Sequence, residues 1–249
     1  MDRKIRVGAV AYLNTKPLIY GLEKGLMKEE VEVTADYPAN VANKLINDEI
    51  DVGLVPVATI PRLKEYQIVC DYGIACDGPV ASVCMFSDVP MDEIETVLLD
   101  YQSRTSVRLA RILMKEFWKI DPVLVDTRDD FRGQIKGTTA GIVIGDRALE
   151  QRHDSAYVFD LGQAWKEMTG LPFVFAAWIS NKKMSPEFRA AFNRANKYGL
   201  DRLAEVVAAN PYKTYDLFQY YTRDIDYRID EEKMKGLSLY LKYLDKFDL

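Results

Sequence analysis

Polar side chains gather at positions 103–106, where an apolar strand pattern gives way to a clear helical pattern. Ser103, Thr105 and Ser106 offer three hydroxyl groups. Arg104 adds a guanidinium group that suits bidentate contact with a carboxylate. A helix N-terminus also presents free backbone N–H groups and favours negative charge. This junction therefore indicates a binding site for a small organic anion, with an elaborate helix cap as the alternative.

Four other strand ends carry less distinctive residues. Asn14 and Thr15 follow the first strand pattern and offer side-chain donors, although capping of the next helix explains them more simply. Pro56 sets the exit of a short buried strand, where a structural role is the simpler interpretation. Ser82 lies in an apolar strand pattern beside the expected hinge, where a satisfied core serine and a functional serine are equally expected. Asp146 opens a short helix and is most simply its cap.

These junctions require parallel strands whose carboxyl ends meet at one edge of a sheet, where open α/β sheets bind ligands. Strand and helix patterns alternate through residues 4–86, and a second alternating unit begins near Val89. The sequence therefore predicts an α/β fold with two lobes and a ligand cleft between them. The expected lobes are residues 1–87 with 176–249, and residues 88–175, with Val83–Asp88 and Pro172–Ala177 as the crossing strands.

The C-terminal part of the chain is predicted to be helical. Residues 185–209, 212–223 and 231–247 read as helices without strands between them, so they are expected to pack onto the existing sheets. The region is rich in tyrosine, and packing onto the first lobe is a simpler role for these side chains than an interface in an oligomer. The tyrosines are Tyr212, Tyr215, Tyr220, Tyr221, Tyr227, Tyr240 and Tyr243.

Composition argues against several classes of function. The chain has 249 residues, 48% of them hydrophobic, and 33 basic against 38 acidic residues give a net charge of −5. This balance is unfavourable for nucleic acid and for anionic membranes, and no apolar run approaches the roughly 18–20 residues that a membrane span needs. The first residues read as a strand rather than a signal peptide. We therefore expect a soluble cytoplasmic protein with neither a nucleic-acid nor a membrane partner.

Recognisable metal and cofactor motifs are missing from the sequence. Acidic residues are scattered, and the chain has neither a phosphate-binding loop nor a dinucleotide fingerprint. Cys70, Cys76 and Cys84 match no common zinc spacing, and their odd number fits free thiols in a reducing compartment. His153 is the single histidine and lies in a polar turn. We therefore expect no metal and no cofactor.

Read in order, several stretches of the chain resemble chorismate dehydratase of the futalosine route to menaquinone. The similarity spans nearly the whole chain and rests on the order and spacing of the stretches rather than on a single motif. Val57 departs from the pattern, because many relatives carry a serine after the Val-Pro pair. The matching stretches are Arg6–Gly8, Tyr12–Leu18, Asp51–Pro56, Ser103–Ser106, Gly145–Leu149, Asp160–Trp165 and Met168–Trp178.

The resemblance implies a periplasmic-binding-protein-like fold of the second type. It also implies a carbon–oxygen lyase that converts chorismate, a dicarboxylate, to 3-[(1-carboxyvinyl)oxy]benzoate and water, the first step of the futalosine pathway. The implied pocket contains Asn14, Ser82 and the 103–106 stretch, so we assign catalytic roles to Asn14 and Ser82. The residues assigned to substrate binding are Thr15, Pro56, Ser103, Arg104, Thr105, Ser106 and Asp146.

A conventional general base is missing from the predicted junctions, which hold no histidine, cysteine or paired carboxylates. We therefore hypothesise that the enolpyruvyl carboxylate of chorismate removes the ring proton itself. Asn14 or Ser82 would orient the substrate or hydrogen-bond the leaving hydroxyl. Two alternatives stay open: a non-catalytic anion-binding protein of the same fold, and the sister dihydroxynaphthoate synthase, which uses a histidine.

Overall fold

The computed structural model describes residues 3–249, which form two α/β lobes, each built on one mixed β-sheet. In chain order the strands are β1 (Ile5–Val10), β2 (Val31–Asp36), β3 (Val52–Pro56), β4 (Gln67–Cys76), β5 (Val83–Ser87), β6 (Thr96–Leu99), β7 (Val123–Asp126), β8 (Thr139–Ile144), β9 (Tyr157–Asp160), β10 (Phe173–Ser180) and β11 (Asp226–Arg228). The helices are α1 (Lys16–Glu23), α2 (Pro38–Ile46), α3 (Thr105–Leu113), α4 (Asp146–Gln151), α5 (Leu161–Thr169), α6 (Pro186–Leu200), α7 (Leu203–Ala209), α8 (Leu217–Gln219) and α9 (Glu231–Phe247).

Parallel and antiparallel pairs are mixed in both sheets. The first sheet has the order β11-β4-β10-β3-β1-β2, and the second has the order β7-β6-β8-β5-β9. In the first sheet β1 runs parallel to β2 and β3, whereas β10 runs antiparallel to β3 and β4. The interior strands β3 and β5 are buried along their whole length, which agrees with their continuous apolar sequences. The carboxyl ends of β1 and β3 meet at one edge, as the sequence predicts.

The chain passes between the lobes at two turns rather than along strands. β5 is hydrogen-bonded to β8 and β9 on both sides, so it belongs wholly to the second sheet. β10 lies between β3 and β4 and belongs wholly to the first. The expected boundary at 87/88 therefore lies one strand too late, because β5 belongs to the second lobe. The expected boundary at 175/176 lies three residues too late, because β10 begins at Phe173. The first crossing is the turn at residues 77–82, in which Ala81 adopts a left-handed conformation with φ 62.

The C-terminal region differs most from the sequence prediction. The helix expected over 185–209 is interrupted, because Arg202 leaves the helical conformation with φ −130 and ψ 36. The helix expected over 212–223 starts only at Leu217, where Asp216 accepts hydrogen bonds from two backbone N–H groups, and it continues as a π-helical turn over Tyr220–Asp224. A third difference is β11, a three-residue strand that joins the edge of the first sheet.

Helix α9 closes the structure by packing between the lobes. Tyr240 on this helix is fully buried and lies edge-on against Trp165 and Phe173, with ring centroids 6.2 and 5.0 Å away. Its hydroxyl donates a 3.0 Å hydrogen bond to the carbonyl of Thr105 at the start of α3. The C-terminal helix thereby ties β10 of the first sheet to α3 of the second lobe. Across residues 3–249, the helices are all too short or too polar to cross a membrane.

Candidate functional site

A cavity that is partly open to solvent lies between the two lobes, at the ends of β1 and β3 and the N-terminus of α3. We call Asn14 and Thr15 the first wall and Ser103–Ser106 the second wall. Apolar side chains from both sheets form much of the remaining surface. The predicted site residues that line the cavity are Asn14, Thr15, Pro56, Ser103, Thr105 and Ser106. Ser82, Arg104 and Asp146 lie outside the lining formed by the described residues.

The first wall follows β1 as a short 3₁₀ turn over Leu13–Thr15 that leads into α1. Neither Asn14 nor Thr15 caps α1 through its side chain, so capping does not explain these residues. The Thr15 hydroxyl instead donates to Asn14 Oδ1 at 3.3 Å. The Asn14 side-chain amide therefore stays available at the cavity surface.

The backbone of the first wall is held by tyrosines from the C-terminal region. The Tyr221 hydroxyl donates to the carbonyl of Leu13 at 3.0 Å, and the Tyr227 hydroxyl donates to the carbonyl of Asn14 at 2.9 Å. Both hydroxyls reach this turn from more than 200 positions away in the sequence. Sequence reasoning treated these tyrosines as packing residues, because a cluster of tyrosines does not show where each hydroxyl points.

Ser82 lies in the crossing turn rather than in the strand predicted for residues 80–86, and it is completely buried. Its Oγ accepts a 2.6 Å hydrogen bond from the Tyr220 hydroxyl, and its carbonyl accepts from the backbone N–H of Gly145 at 2.8 Å. Its chain neighbour Val83 lines the cavity. Ser82 is thus placed directly behind the cavity surface.

Asp160 anchors this crossing turn. Its carboxylate accepts hydrogen bonds from the backbone N–H groups of Val80 and Ala81, and it also accepts from Gly162 and Gln163 at the start of α5. Burial raises the pKa of Asp160, and these N–H donors oppose that rise. One carboxylate therefore caps α5 and fixes the turn that carries Ser82.

The second wall is the N-terminus of α3, and its hydrogen bonds are both local and distant in sequence. Ser103 Oγ accepts from the backbone N–H of Ser106 at 3.1 Å. The Thr105 hydroxyl is occupied in both directions, because it donates to the carbonyl of Phe175 at 3.1 Å and accepts from the N–H of Ala58 at 3.2 Å. Ser106 Oγ makes no hydrogen bond to any residue of 3–249. Ser106 is therefore the hydroxyl of this wall that is ready for a ligand.

Arg104 does not reach the cavity. Its Nη2 donates to Oδ1 of Asn43 on α2 at 2.7 Å, which links the second lobe to the first. Burial lowers the pKa of Arg104, and nearby Arg62 and Arg108 lower it further. The Arg104 side chain thus extends to Asn43 rather than into the cavity, since residue type alone does not fix the direction of a long side chain.

Asp146 links the lobes instead of capping α4. Its carboxylate accepts a 3.1 Å hydrogen bond from the backbone N–H of Leu13, and its own carbonyl accepts from the Tyr212 hydroxyl at 3.2 Å. Burial raises the pKa of Asp146 to about 6, opposed by the Leu13 N–H and by Lys16. The Asp146 carboxyl group therefore lies outside the cavity lining and joins the second lobe to the backbone of the first wall by accepting from Leu13.

A buried ion pair that sequence reasoning missed supports the second wall. Both Asp100 oxygens lie 2.8 Å from Nη2 of Arg147, and the same carboxylate accepts from the backbone N–H groups of Gln102 and Ile144. The Asp100 side chain is 0% exposed. Asp100 stands at the end of β6, so its position after a strand was the available sequence signal. The pair fixes the start of the loop that carries Ser103–Ser106.

The chemistry available at the cavity surface is that of amides and hydroxyls. Among the described residues, the lining contains no carboxylate, imidazole, thiol or amine. Tyr12 is its one titratable side chain, and burial and the nearby Asp100 raise the pKa of its phenol. The Tyr12 hydroxyl also donates to Gln102 Oε1. The lining can therefore orient and hydrogen-bond an organic anion, but it offers no ordinary proton acceptor near neutral pH.

Comparisons with known proteins agree with this arrangement. A family model described as menaquinone biosynthesis matches residues 5–246. A chorismate dehydratase of Thermus thermophilus is 27% identical over 263 residues, covering 96% of this chain and 94% of that protein. A chorismate dehydratase of Campylobacter jejuni is 26% identical over 231 residues, covering 90% and 86%.

A solved structure shares the architecture. The periplasmic aliphatic sulphonate binding protein of Escherichia coli superposes with a TM-score of 0.64 at 14% identity, covering 100% of this chain and 94% of that one. The periplasmic-binding-protein-like fold expected from the sequence is thereby confirmed, and the resemblance to chorismate dehydratases is confirmed by the two relatives.

Proposed function

Because the chain belongs to the menaquinone biosynthesis family, we propose that it is a chorismate dehydratase. In this proposal the enzyme is a hydro-lyase that forms 3-[(1-carboxyvinyl)oxy]benzoate and water from chorismate, as the first step of the futalosine pathway. The two relatives named chorismate dehydratase, each similar over at least 90% of this chain, support the proposal.

One observation about the site carries the mechanism: the cavity combines hydrogen-bonding groups with the lack of a protein base among its described lining residues. Chorismate brings its own base, the enolpyruvyl carboxylate. In the proposed step this carboxylate takes the proton from ring carbon C3, and the electron pair left behind forms a ring double bond. The hydroxyl at C4 departs as water with the proton that the carboxyl group has taken up, which restores the carboxylate, and the ring becomes aromatic.

The protein's part in this reaction is orientation and anion binding. Asn14 is proposed to hold the substrate from the first wall, where its amide faces the cavity. Ser106 and the N-terminus of α3 are proposed to receive a carboxylate from the second wall, because helix N-termini favour anions. Ser82 is proposed to hydrogen-bond the leaving hydroxyl from behind Val83 in the loaded cleft. Correct orientation and preorganised donors each contribute several kcal/mol, on the order of 3–10.

We also propose a cytoplasmic location. Cys70, Cys76 and Cys84 are all buried free thiols, and burial raises the pKa of each. Free cysteines support a reducing compartment.

Incubation of the purified full chain with chorismate, followed by mass spectrometry and proton NMR, tests the proposal. The expected result is loss of one water and new aromatic resonances. Binding of chorismate without conversion would favour the non-catalytic binding protein. Inertness toward chorismate together with turnover of a cyclic futalosine derivative would favour the sister synthase.

A further inference from the structure

Tyr220 stands between the two residues assigned to catalysis. It begins the π-helical turn Tyr220–Asp224, and both its ring and Ser82 are 0% exposed. Its hydroxyl donates to Ser82 Oγ at 2.6 Å, and Asn14 is its other polar neighbour. No solvent reaches this contact, so the direction of each hydroxyl hydrogen is set by the protein alone.

The direction of this hydrogen bond decides what Ser82 can do. A serine hydroxyl has one hydrogen to donate and two lone pairs to accept with. Burial raises the pKa of Tyr220 well above its ordinary value, so the phenol keeps its proton, and a phenol is a stronger hydrogen-bond donor than an aliphatic hydroxyl such as that of Ser82. Ser82 Oγ is thus the acceptor, and no acceptor for its own hydrogen is found among residues 3–249. That hydrogen is left for a ligand.

The same C-terminal segment also holds the first wall. Tyr221 and Tyr227 donate to the carbonyls of Leu13 and Asn14, at 3.0 and 2.9 Å. Three tyrosines within eight positions therefore set the backbone of the Asn14 turn and the hydroxyl of Ser82. The segment couples two residues that lie 68 positions apart in the sequence (14 and 82).

We propose that Tyr220 is a positioning residue that accepts no proton in the reaction but fixes Ser82 as a hydrogen-bond donor toward the substrate. The inference rests on the proposed dehydratase function, and it deepens that function by naming the residue that orients Ser82. Ser82 is followed by Val83, which lines the cavity, whereas Tyr220 and both of its chain neighbours lie outside the lining of the described chain. Tyr220 is therefore placed to act through Ser82 rather than by touching the substrate.

A packing role is the alternative for Tyr220. Its ring lies 6.0 Å from that of Tyr215 and 5.7 Å from that of Tyr221, measured between centroids. Phenylalanine would keep these ring contacts and remove only the hydroxyl. The variant Tyr220→Phe therefore separates the positioning role from the packing role.

The experiment compares Tyr220→Phe with Tyr215→Phe in the full chain, with chorismate as substrate. Tyr215 belongs to the same segment, and its hydroxyl donates to Asp224 at 2.9 Å, away from both walls. We expect Tyr220→Phe to lower kcat about 10- to 100-fold, because Ser82 loses its fixed partner. KM should stay within about threefold and Tm within about 3 °C of the wild type. Tyr215→Phe should keep the wild-type kcat.

A double-mutant cycle tests whether Tyr220 acts through Ser82. In a Ser82→Ala background, Tyr220→Phe should lower kcat by less than about twofold, because the hydroxyl it orients is already gone. An equal loss in both backgrounds would show that Tyr220 acts independently of Ser82 and would overturn the inference. So would an unchanged kcat for Tyr220→Phe in an active enzyme. A wild-type chain inert toward chorismate would overturn the proposed function, and the inference with it.

Discussion

The first wall of the cavity is held by hydroxyls of C-terminal tyrosines, whereas the second wall combines a bond within the 103–106 stretch with bonds from Thr105 to the distant residues Phe175 and Ala58. Tyr221 and Tyr227 bind the carbonyls of the Asn14 turn from more than 200 positions away. In the second wall, Ser103 accepts from Ser106 three positions later. Substitutions of Tyr221 or Tyr227 should therefore affect the first wall, whereas the second wall should also respond to changes near residues 100–106.

The largest effect is expected from the buried acid beneath the second wall. Asp100→Ala leaves the Arg147 guanidinium buried without its counter-charge and removes the acceptor of two backbone N–H groups. The free energy of unfolding, measured by urea denaturation, should fall by about 3–5 kcal/mol.

The matched control is Asp130→Ala in the same lobe. Asp130 pairs with Arg132 but its side chain is 51% exposed, so the loss should stay below about 1 kcal/mol. Equal losses for Asp100→Ala and Asp130→Ala would mean that the buried Asp100–Arg147 pair stabilises the fold no more than an exposed pair does.

Asn14→Ala should lower catalytic activity and leave the stability of the protein almost unchanged. The Asn14 side chain lies at the cavity surface, where its Oδ1 accepts from Thr15 at 3.3 Å and its amide lies beside the Tyr220 hydroxyl. Loss of one preorganised donor should lower kcat for chorismate about 100- to 1000-fold. The free energy of unfolding should change by less than about 1 kcal/mol.

Asn47→Ala serves as the comparison, since Asn47 is exposed and its side chain bonds only to Glu49 in the described structure. This variant should keep wild-type turnover. An active Asn14→Ala enzyme would remove Asn14 from the proposed mechanism.

The sequence predicted the lining residues of both walls apart from Arg104, but it did not predict the distant side chains that hold them, and the reason is physical. Ser103, Thr105 and Ser106 lie close together in sequence at a strand-to-helix junction. The start of the helix places all three side chains at the cavity, so a local pattern was enough to predict them. The tyrosines of the first wall act through hydroxyl directions that exist only after the chain has folded. No local periodicity encodes the pairing of Tyr220 with Ser82.

Two further misses have different causes. β11 is only three residues long, too short for an alternating pattern to stand out from the helices around it. Arg104 was assigned to the ligand by the chemistry of its guanidinium, whereas its side chain extends to Asn43 on α2. Residue type predicts what a group can bind, but packing decides which partner it meets.

Asp146→Asn tests the hydrogen bond between the Leu13 N–H in the first lobe and Asp146 in the second lobe. Because burial raises the pKa of Asp146 to about 6, the folded chain binds this proton more tightly than the unfolded chain. Ionisation therefore lowers stability as pH rises from about 4 to about 6, and the loss persists above that range. Asparagine still accepts from the Leu13 N–H but does not ionise. At pH 7 the variant should be more stable by roughly 1–3 kcal/mol, and near pH 4 the two proteins should match.

Urea denaturation at a series of pH values measures this difference. Glu150 and Lys16 are the other charges that act on Asp146, and Lys16→Met provides a control that keeps the carboxyl group. Asp146→Asn should also keep substantial dehydratase activity, because the carboxyl group lies outside the described lining. Parallel stability curves for wild type and Asp146→Asn would show that this carboxyl is not the titrating group.

The smallest effect is expected at Ser106, the ligand-ready hydroxyl of the second wall. Ser106→Ala removes a single neutral hydrogen bond to the substrate, worth about 1 kcal/mol, so KM for chorismate should rise about fivefold. The value of kcat should change less than in Asn14→Ala, because this wall binds the anion and the first wall orients the reacting ring. Ser155→Ala, which removes a hydroxyl bonded to Gln151 outside the cavity, should leave both constants unchanged. A loss of kcat in Ser106→Ala as large as that in Asn14→Ala would contradict the assignment of binding to the second wall and orientation to the first, because both walls would then act on the transition state.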